Sequence, residues 1–183
     1  PFACDAVTVN PYMGMDTLDP FLTAAEANGK GVVVLARTSN PGAADFQTRD
    51  MGGAPLYARV VEALQPAIAR LEGASGWSSL MLVAGATGPD EARALRKLAP
   101  SCLFLVPGYG AQGSGAEDAL AGFVRRGNHL EGGVVNASRS VNFPSGAAEA
   151  RDLAEWQTTI TSAIESAQAD LTALSGLAEP ARS

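Results

Sequence analysis

Residues 31–42 read GVVVLARTSNPG, an apolar run that ends abruptly in a polar corner containing Asn, Pro and Gly. Four other stretches repeat this arrangement of a short apolar run followed by a polar or Gly-rich corner. A continuous apolar run, as opposed to an alternation of apolar and polar residues, is typical of a parallel strand covered on both faces. The sequence therefore predicts five such strands, over residues 6–10, 31–36, 80–84, 102–106 and 132–136.

Helical patterns separate the predicted strands. Residues 116–126 predict a short helix that Gly127 stops, and apolar residues spaced three and four apart over residues 153–174 predict a long final helix packed on the domain. Alternating strands and helices indicate an α/β fold, either an open doubly wound sheet or a (β/α)8 barrel. Five strands are too few for a complete barrel, which needs about 250 residues. The chain contains no GxGxxG after its first strand, so a dinucleotide-binding domain is disfavoured.

The composition is that of a globular protein. The chain has 183 residues, of which 46% are hydrophobic and 17% charged, so disorder is excluded and a single domain over residues 1–183 is expected. A net charge of -6 without a basic block argues against nucleic acid or membrane as a partner. The absence of a signal-peptide or membrane-spanning pattern predicts a cytoplasmic protein. The chain begins PFACDAVTV and enters its first strand at once, so we expect further sequence upstream of Pro1.

An anion site is predicted at the corners that follow the fourth and fifth strands. In parallel α/β folds, ligands bind at the carboxyl edge of the sheet, where loops and helix N-termini converge. The fourth corner carries Gly at positions 108, 110, 113 and 115, which lets backbone N–H groups approach a phosphate closely. Arg139, shortly after the fifth strand, adds a guanidinium that can bind a phosphate through two hydrogen bonds.

The remaining nucleophilic and metal-binding residue types predict no catalytic site. His129 is the only His and falls in a predicted helix-to-strand connector, where a surface or capping role is expected and a metal would lack partners. Cys4 and Cys102 begin predicted strands and are expected to be buried free thiols. Ser39 and Ser138 have no His base at hand, which argues against a Ser-His-Asp hydrolase.

Four corners together resemble the orotidine 5'-phosphate decarboxylase family, in particular its bacterial type 2 branch with an Arg-Thr-Ser-Asn-Pro-Gly signature. The motifs are DAVTVNPYMG at residues 5–14, RTSNPGA at 37–43, PGYGAQG at 107–113 and NASR at 136–139. They occur in the family's order and cover almost the whole chain. Two departures are mild: Ser114 and Ser140 stand where the family often has Gly.

The resemblance implies a (β/α)8 TIM barrel and a homodimer. It also implies the conversion of orotidine 5'-monophosphate to UMP and CO2, the last step of de novo pyrimidine synthesis, without metal or cofactor. By the same resemblance, Gln112 and Arg139 match the phosphate-binding Gln and Arg. Ser39 matches the Ser that contacts the pyrimidine base, and Pro107 begins the loop that closes over the substrate. Phosphate contacts remote from the reacting carbon can supply binding energy for such a closure.

The catalytic residues that the resemblance implies are missing from the sequence. The family's reaction depends on a Lys-Asp-Lys-Asp network with an Asp-x-Lys-x-x-Asp motif at the end of the third barrel strand, and neither Lys30 nor Lys97 lies in such a motif. We therefore expect this chain to be the C-terminal part of the barrel, with strands four to eight, inactive alone and with its catalytic residues upstream of Pro1. Two alternatives stay open: a non-catalytic nucleotide- or phosphate-binding module, and a related barrel enzyme acting on phosphate sugars.

Overall fold

Seven strands run through residues 4–110 and 112–176, which are the residues that the computed structural model describes. They are β1 (Ala6–Val9), β2 (Gly31–Arg37), β3 (Ser78–Ala84), β4 (Cys102–Pro107), β5 (Val124–Arg126), β6 (His129–Glu131) and β7 (Gly133–Asn136). Five of them form one parallel sheet in the order β1-β2-β3-β4-β7. All five predicted strands are found within two residues of their predicted bounds, which confirms the α/β class.

Helices connect the strands and place all the parallel strand ends at one edge. They are α1 (Met15–Asn28), α2 (Ala43–Phe46), α3 (Leu56–Arg70), α4 (Pro89–Leu98), α5 (Ala116–Ala119), α6 (Arg139–Asn142) and α7 (Leu153–Ser175). Helix α1 ends at Gly29, whose φ of 61° is the left-handed conformation that glycine adopts without strain. Helices α2, α5 and α6 are single turns of four residues each.

The core lies between the centre of the sheet and the helices α1, α3 and α4. These helices contribute Leu18, Val61 and Leu95, which are fully buried, and the sheet contributes Phe104. Five of the seven residues of β2 are buried. Because burial of apolar surface is the main favourable term in folding, this central region is where the chain is held together most strongly.

The two edge strands are less covered than the sequence predicts. Strand β1 has three exposed residues and one half-buried residue, and β7 alternates half-buried with exposed residues. Val7 in β1 and Val134 in β7 are 40% and 51% exposed. The prediction of strands covered on both faces is therefore right for most of β2 and wrong for β1 and β7. Each of these two has a strand neighbour on one side only within the described residues.

The predicted helix over residues 116–126 is wrong beyond its first turn. Helix α5 ends at Ala119, and β5 pairs with β6 as an antiparallel hairpin. Gly127 turns this hairpin with a φ of 60°, and so it ends a strand where a helix was expected. His129 therefore lies in β6 and not in a connector, with its Nε2 atom 3.5 Å from Glu131 Oε2.

The two cysteines have different surroundings. Cys102 is fully buried, as predicted, and burial raises the pKa of its thiol to about 12. Cys4 is exposed and precedes β1, so the prediction of a buried thiol is wrong there. The amino end of β1 lies at the surface, where Asp5 forms an ion pair with Lys30 at 2.7 Å.

A buried arginine lies at the amino edge of the sheet and hydrogen-bonds the backbone there. Arg96 on α4 is 8% exposed and donates to five backbone carbonyl oxygens, those of Ala99, Pro100, Cys102, Gly122 and Gly132, at 2.6 to 3.3 Å. Its guanidinium carbon lies 3.9 Å from the ring centre of Phe104 and 5.4 Å from that of Trp77. Burial lowers the pKa of Arg96 to about 10, so the group stays charged at neutral pH.

The final helix packs on the domain over part of its length. Ala167 and Leu171 of α7 pack against the core, whereas Leu153 and Trp156 are 67% and 42% exposed. The predicted helix is confirmed, but its predicted packing holds only around Ala167 and Leu171, since Ile164 and Leu174 of the same stripe are also exposed. None of the helices within the described residues is both long and apolar enough to span a membrane.

Candidate functional site

Three of the four predicted site residues meet at the carboxyl edge of the sheet. Ser39 follows β2, Gln112 follows β4, and Arg139 follows β7. We assign the orientation of the Gln112 amide from its neighbours, because only one orientation satisfies both of its ends. Its nitrogen donates to Ser39 Oγ at 3.1 Å and to the Ser39 carbonyl oxygen at 2.7 Å, and its oxygen accepts from Arg139 Nη2 at 3.2 Å. Gln112 thus bridges the corners of three strands.

Glycines on either side bring the backbone close to Ser39. A Cβ atom added to Gly85 would lie 2.7 Å from the Ser39 nitrogen, and one added to Gly108 would lie 2.8 Å from Ser39 Cβ. Gly108 also has a φ of 102°, which side chains with a Cβ rarely adopt. Ser39 is buried, and its carbonyl oxygen accepts a second hydrogen bond from Thr87 Oγ1 at 3.0 Å. The corner is therefore held by its neighbours before any ligand arrives.

Pro107, the fourth predicted residue, ends β4 and opens the Gly-rich loop. Its carbonyl oxygen accepts from Ala86 N at 2.9 Å, which ties the loop to the corner after β3. Within the loop, Gly110 N donates to Ser114 O and Gly113 N donates to Gly110 O, each at 2.9 Å. These two N–H groups are used by the loop itself, although the sequence predicted that they would face a phosphate. Ala111 lies outside the described residues.

The Gly-rich loop is also attached to the final helix. Tyr109 is buried, and its hydroxyl donates to Asp170 Oδ2 on α7 at 2.8 Å. Burial, with the nearby Asp170 carboxylate, raises the pKa of Tyr109 to about 12, so the hydroxyl stays protonated and keeps donating at neutral pH. This contact cannot be predicted from the sequence, because nothing in the spacing of the two residues points to it.

Arg139 lines an open cavity of about 660 Å³ beside the Gly-rich loop. The other residues that line it are Gly110, Ser140, Phe143, Pro144 and Ser145. Within residues 4–110 and 112–176, Gln112 is the one side chain that hydrogen-bonds the Arg139 guanidinium. An exposed guanidinium with most of its donors available, held in place by an amide, is suited to binding an anion such as phosphate.

The two lysines and the histidine of the chain lie away from these three residues. Lys30 pairs with Asp5 at the amino edge, and Lys97 is exposed on α4. His129 lies in the hairpin β5–β6. No group of three or more His, Cys, Asp or Glu side chains that could hold a metal ion occurs in the part of the chain that the structure describes. The arrangement at Ser39, Gln112 and Arg139 can therefore bind a polar anionic ligand, and none of these three side chains is of a type that exchanges a proton near neutral pH.

Comparison with known proteins gives consistent matches. The family model described as "Orotidine 5'-phosphate decarboxylase / HUMPS family" matches residues 1–151. Orotidine 5'-phosphate decarboxylase from Clostridium perfringens is 45% identical over 141 residues, which cover 76% of this chain and 48% of that protein. The protein of the same name from Rhodopirellula baltica is 37% identical over 166 residues, covering 89% of this chain and 54% of that one.

Solved structures show the same likeness. The Leishmania donovani OMP decarboxylase superposes with a TM-score of 0.65 at 31% identity, covering 94% of this chain and 58% of that one. The Leishmania donovani UMP synthase gives a TM-score of 0.65 at 34% identity, and the match covers 92% of this chain and 33% of that one. The five-stranded parallel sheet is therefore part of a TIM barrel, as the resemblance implied.

The chain spans about half the length of the curated relatives it matches. The assignment of its strands as four to eight of the barrel stays a prediction. Because the family model matches 151 of the 183 residues and all four motifs lie within that match, the chain belongs to the orotidine 5'-phosphate decarboxylase / HUMPS family.

Proposed function

We propose that this chain is the C-terminal part, in a single domain, of an orotidine 5'-phosphate decarboxylase, and that it supplies contacts to the phosphate and the base of the substrate. The observation that carries the proposal is the Gln112 amide, which joins Ser39 to Arg139 at the carboxyl edge of the sheet. A nucleoside monophosphate has a polar base at one end and a phosphate at the other. A site in which one side chain joins a base contact to a phosphate contact suits such a ligand.

Arg139 is proposed to bind the phosphate together with Gln112. The hydrogen bond from Nη2 to the Gln112 amide oxygen orients the guanidinium, and the cavity beside it gives the anion room. Charge-assisted hydrogen bonds between guanidinium and phosphate are about twice as strong as neutral ones. The phosphate is therefore expected to contribute more to affinity than the base.

Ser39 is proposed to contact the pyrimidine. Its Oγ atom accepts from the Gln112 nitrogen at 3.1 Å, which leaves the hydroxyl hydrogen for a carbonyl oxygen of the base. Pro107 and the loop that follows are proposed to close over the ligand, with Tyr109 attaching that loop to α7. Such a closure would exclude water from the reacting carbon.

The decarboxylation chemistry is proposed to depend on residues outside this chain. The resemblance implies Asp carboxylates that crowd the substrate carboxylate and a Lys ammonium that protonates the carbanion formed at C6. Lys30 and Lys97 lie away from Ser39 and Arg139, which is consistent with that division of roles. A homodimer in the cytoplasm is proposed on the resemblance alone.

The direct test is CO2 release from orotidine 5'-monophosphate by the full-length protein, with UMP binding measured in parallel. We expect turnover in the full-length protein and none in residues 1–183 alone. UMP binding without CO2 release would favour the non-catalytic module. Binding of sugar phosphates in preference to UMP would favour a different phosphate-binding barrel enzyme. Absence of both turnover and UMP binding would contradict the proposal.

A further inference from the structure

A glutamine outside the predicted site holds the corner that carries Ser39. Gln47 follows α2, and its side chain makes two hydrogen bonds with Thr38, the residue before Ser39. Its Oε1 atom accepts from the Thr38 backbone nitrogen at 2.8 Å, and its Nε2 atom donates to Thr38 Oγ1 at 2.8 Å. Thr38 Oγ1 in turn donates to Asn40 Oδ1 at 2.6 Å. Residues on both sides of Ser39 are thus fixed by one connected set of hydrogen bonds.

Gln47 is itself well anchored. Its backbone nitrogen donates to Ala43 O at 2.8 Å, and its carbonyl oxygen accepts from Tyr57 N at 3.0 Å in the first turn of α3. Tyr57 belongs to the hydrophobic core. The side chain of Gln47 therefore connects the corner after β2 to the rigid part of the domain, which is what a group needs in order to position another.

The chemistry of the contact requires an amide. Thr38 presents a donor, its N–H group, and a hydroxyl that has already given its hydrogen to Asn40 and so must accept. A primary amide offers an acceptor and a donor side by side, whereas a carboxylate only accepts and a thioether does neither effectively. The Gln47 amide therefore matches the donor and the acceptor of Thr38 by its hydrogen-bonding groups, whatever else the side chain packs against.

We propose that Gln47 is a positioning residue that holds the Thr38-Ser39-Asn40 corner in the geometry needed to contact the base of the ligand. The inference rests on the proposed function, since it assumes that Ser39 contacts a pyrimidine. It adds that the base contact depends more on Gln47 than the phosphate contact does, because Gln47 can reach Arg139 only indirectly, through Ser39 and Gln112. Gln112 and Arg139 follow other strands, and within the described residues neither forms a hydrogen bond with Gln47 or Thr38.

The test compares two ligands in the full-length protein, UMP and ribose 5-phosphate, by isothermal titration calorimetry. For Gln47→Met we expect the Kd for UMP to rise about tenfold, as for one or two lost hydrogen bonds, and the Kd for ribose 5-phosphate to change less than about twofold. The matched control is Gln65→Met. Gln65 on α3 also hydrogen-bonds backbone carbonyls, those of Val61 and Leu98, far from the site, and its substitution should change neither Kd.

Two further variants keep the test decisive if Gln47→Met folds poorly. Gln47→Glu retains the acceptor for Thr38 N and should recover part of the UMP affinity. Thr38→Val removes both contacts of the hydroxyl, with Gln47 and with Asn40, and should also weaken UMP binding more than ribose 5-phosphate binding. An equal loss for both ligands, or no loss for UMP, would overturn the inference. Failure of the unsubstituted protein to bind UMP would instead overturn the proposed function, so the two failures are distinguishable.

Discussion

Two arginines at opposite edges of the same sheet have opposite surroundings. Arg96, at the amino edge, is buried, lies against the Phe104 ring and donates to five carbonyl oxygens of its own chain. Arg139, at the carboxyl edge, is exposed, lines a cavity and contacts Gln112. The comparison shows that the same side chain serves stability where its donors are used internally and is suited to binding where they are left available.

The difference follows from where each arginine stands along the chain. Arg96 lies on a helix behind the sheet. Its guanidinium donates there to the carbonyl oxygen of Cys102, the first residue of β4, and to that of Gly132, which precedes β7. Arg139 begins the single turn α6, after the last residue of β7, where the fold opens to solvent. In TIM barrels, the amino face serves stability and the carboxyl face binds ligands.

The largest expected effect is on stability at the amino edge. Arg96→Met should lower the free energy of unfolding by about 3 kcal/mol or more, because it removes five hydrogen bonds that one buried charged group makes. Urea unfolding followed by circular dichroism measures the change. A loss below about 1 kcal/mol would show that water reaches these carbonyls and that the guanidinium is not needed there.

The second expected effect is on binding at the carboxyl edge. Arg139→Ala should weaken UMP binding by about 2 kcal/mol, as expected for a lost charge-assisted contact, and should leave the unfolding transition nearly unchanged. The matched control is Arg93→Ala, which removes an equal charge from the exposed face of α4. If both variants bind UMP like the unsubstituted protein, Arg139 is not a phosphate ligand.

A smaller effect is expected where the loop after β4 approaches Ser39. Gly108→Ala should cost roughly 1 to 2 kcal/mol of stability, since it combines a φ of 102° with a Cβ atom placed 2.8 Å from Ser39 Cβ. UMP binding should weaken with it, because Ser39 would have to move. Gly115→Ala is the control: its φ is -88° and its Cβ would meet nothing within 4 Å. Equal behaviour of the two variants would contradict the close packing at Ser39.

The smallest effect is expected at the contact between the loop and α7. Tyr109→Phe should lower the free energy of unfolding by about 1 kcal/mol at neutral pH through loss of the hydrogen bond to Asp170. The pKa of Tyr109 is raised from 10.0 to about 12, so the folded state favours the protonated hydroxyl and its contribution is lost as the pH rises through that range.

The same variant therefore has a pH signature. Between about pH 9 and about pH 11, the unsubstituted protein should lose more stability than Tyr109→Phe, because only the former has this ionisable group. Urea unfolding at the two pH values measures the difference. A parallel fall in both proteins would mean that other groups account for the alkaline loss of stability.

The parallel sheet and the grouping of the candidate site residues at one edge could be predicted from the sequence. Each apolar run is bounded by residues that end strands, and parallel strands of an α/β fold carry their ligand-binding corners at one edge. The residues Ser39, Gln112 and Arg139, predicted from the motifs, do lie together, joined by one amide. The resemblance supplied their roles, which composition and periodicity do not contain.

The contacts between distant residues could not be predicted. The hairpin β5–β6 replaces the second part of a predicted helix. Gly122, just before this hairpin, lies so close to the Phe104 ring that an added Cβ would be 2.8 Å from it, a contact that only the folded chain reveals. The Tyr109–Asp170 hydrogen bond joins residues 61 positions apart. No pattern of spacing encodes either contact, since both arise from packing against elements elsewhere in the chain.

The affinity of the full-length protein for UMP, compared with its affinity for uridine, is the sharpest test of the phosphate site, because the two ligands differ only in the phosphate. If Arg139 and Gln112 form a phosphate site joined to a base contact at Ser39, calorimetry should show UMP binding at least about 100-fold more tightly than uridine. The preference should fall by about tenfold or more in Arg139→Ala. Equal affinity for the two ligands, or a preference that Arg139→Ala leaves intact, would contradict the account.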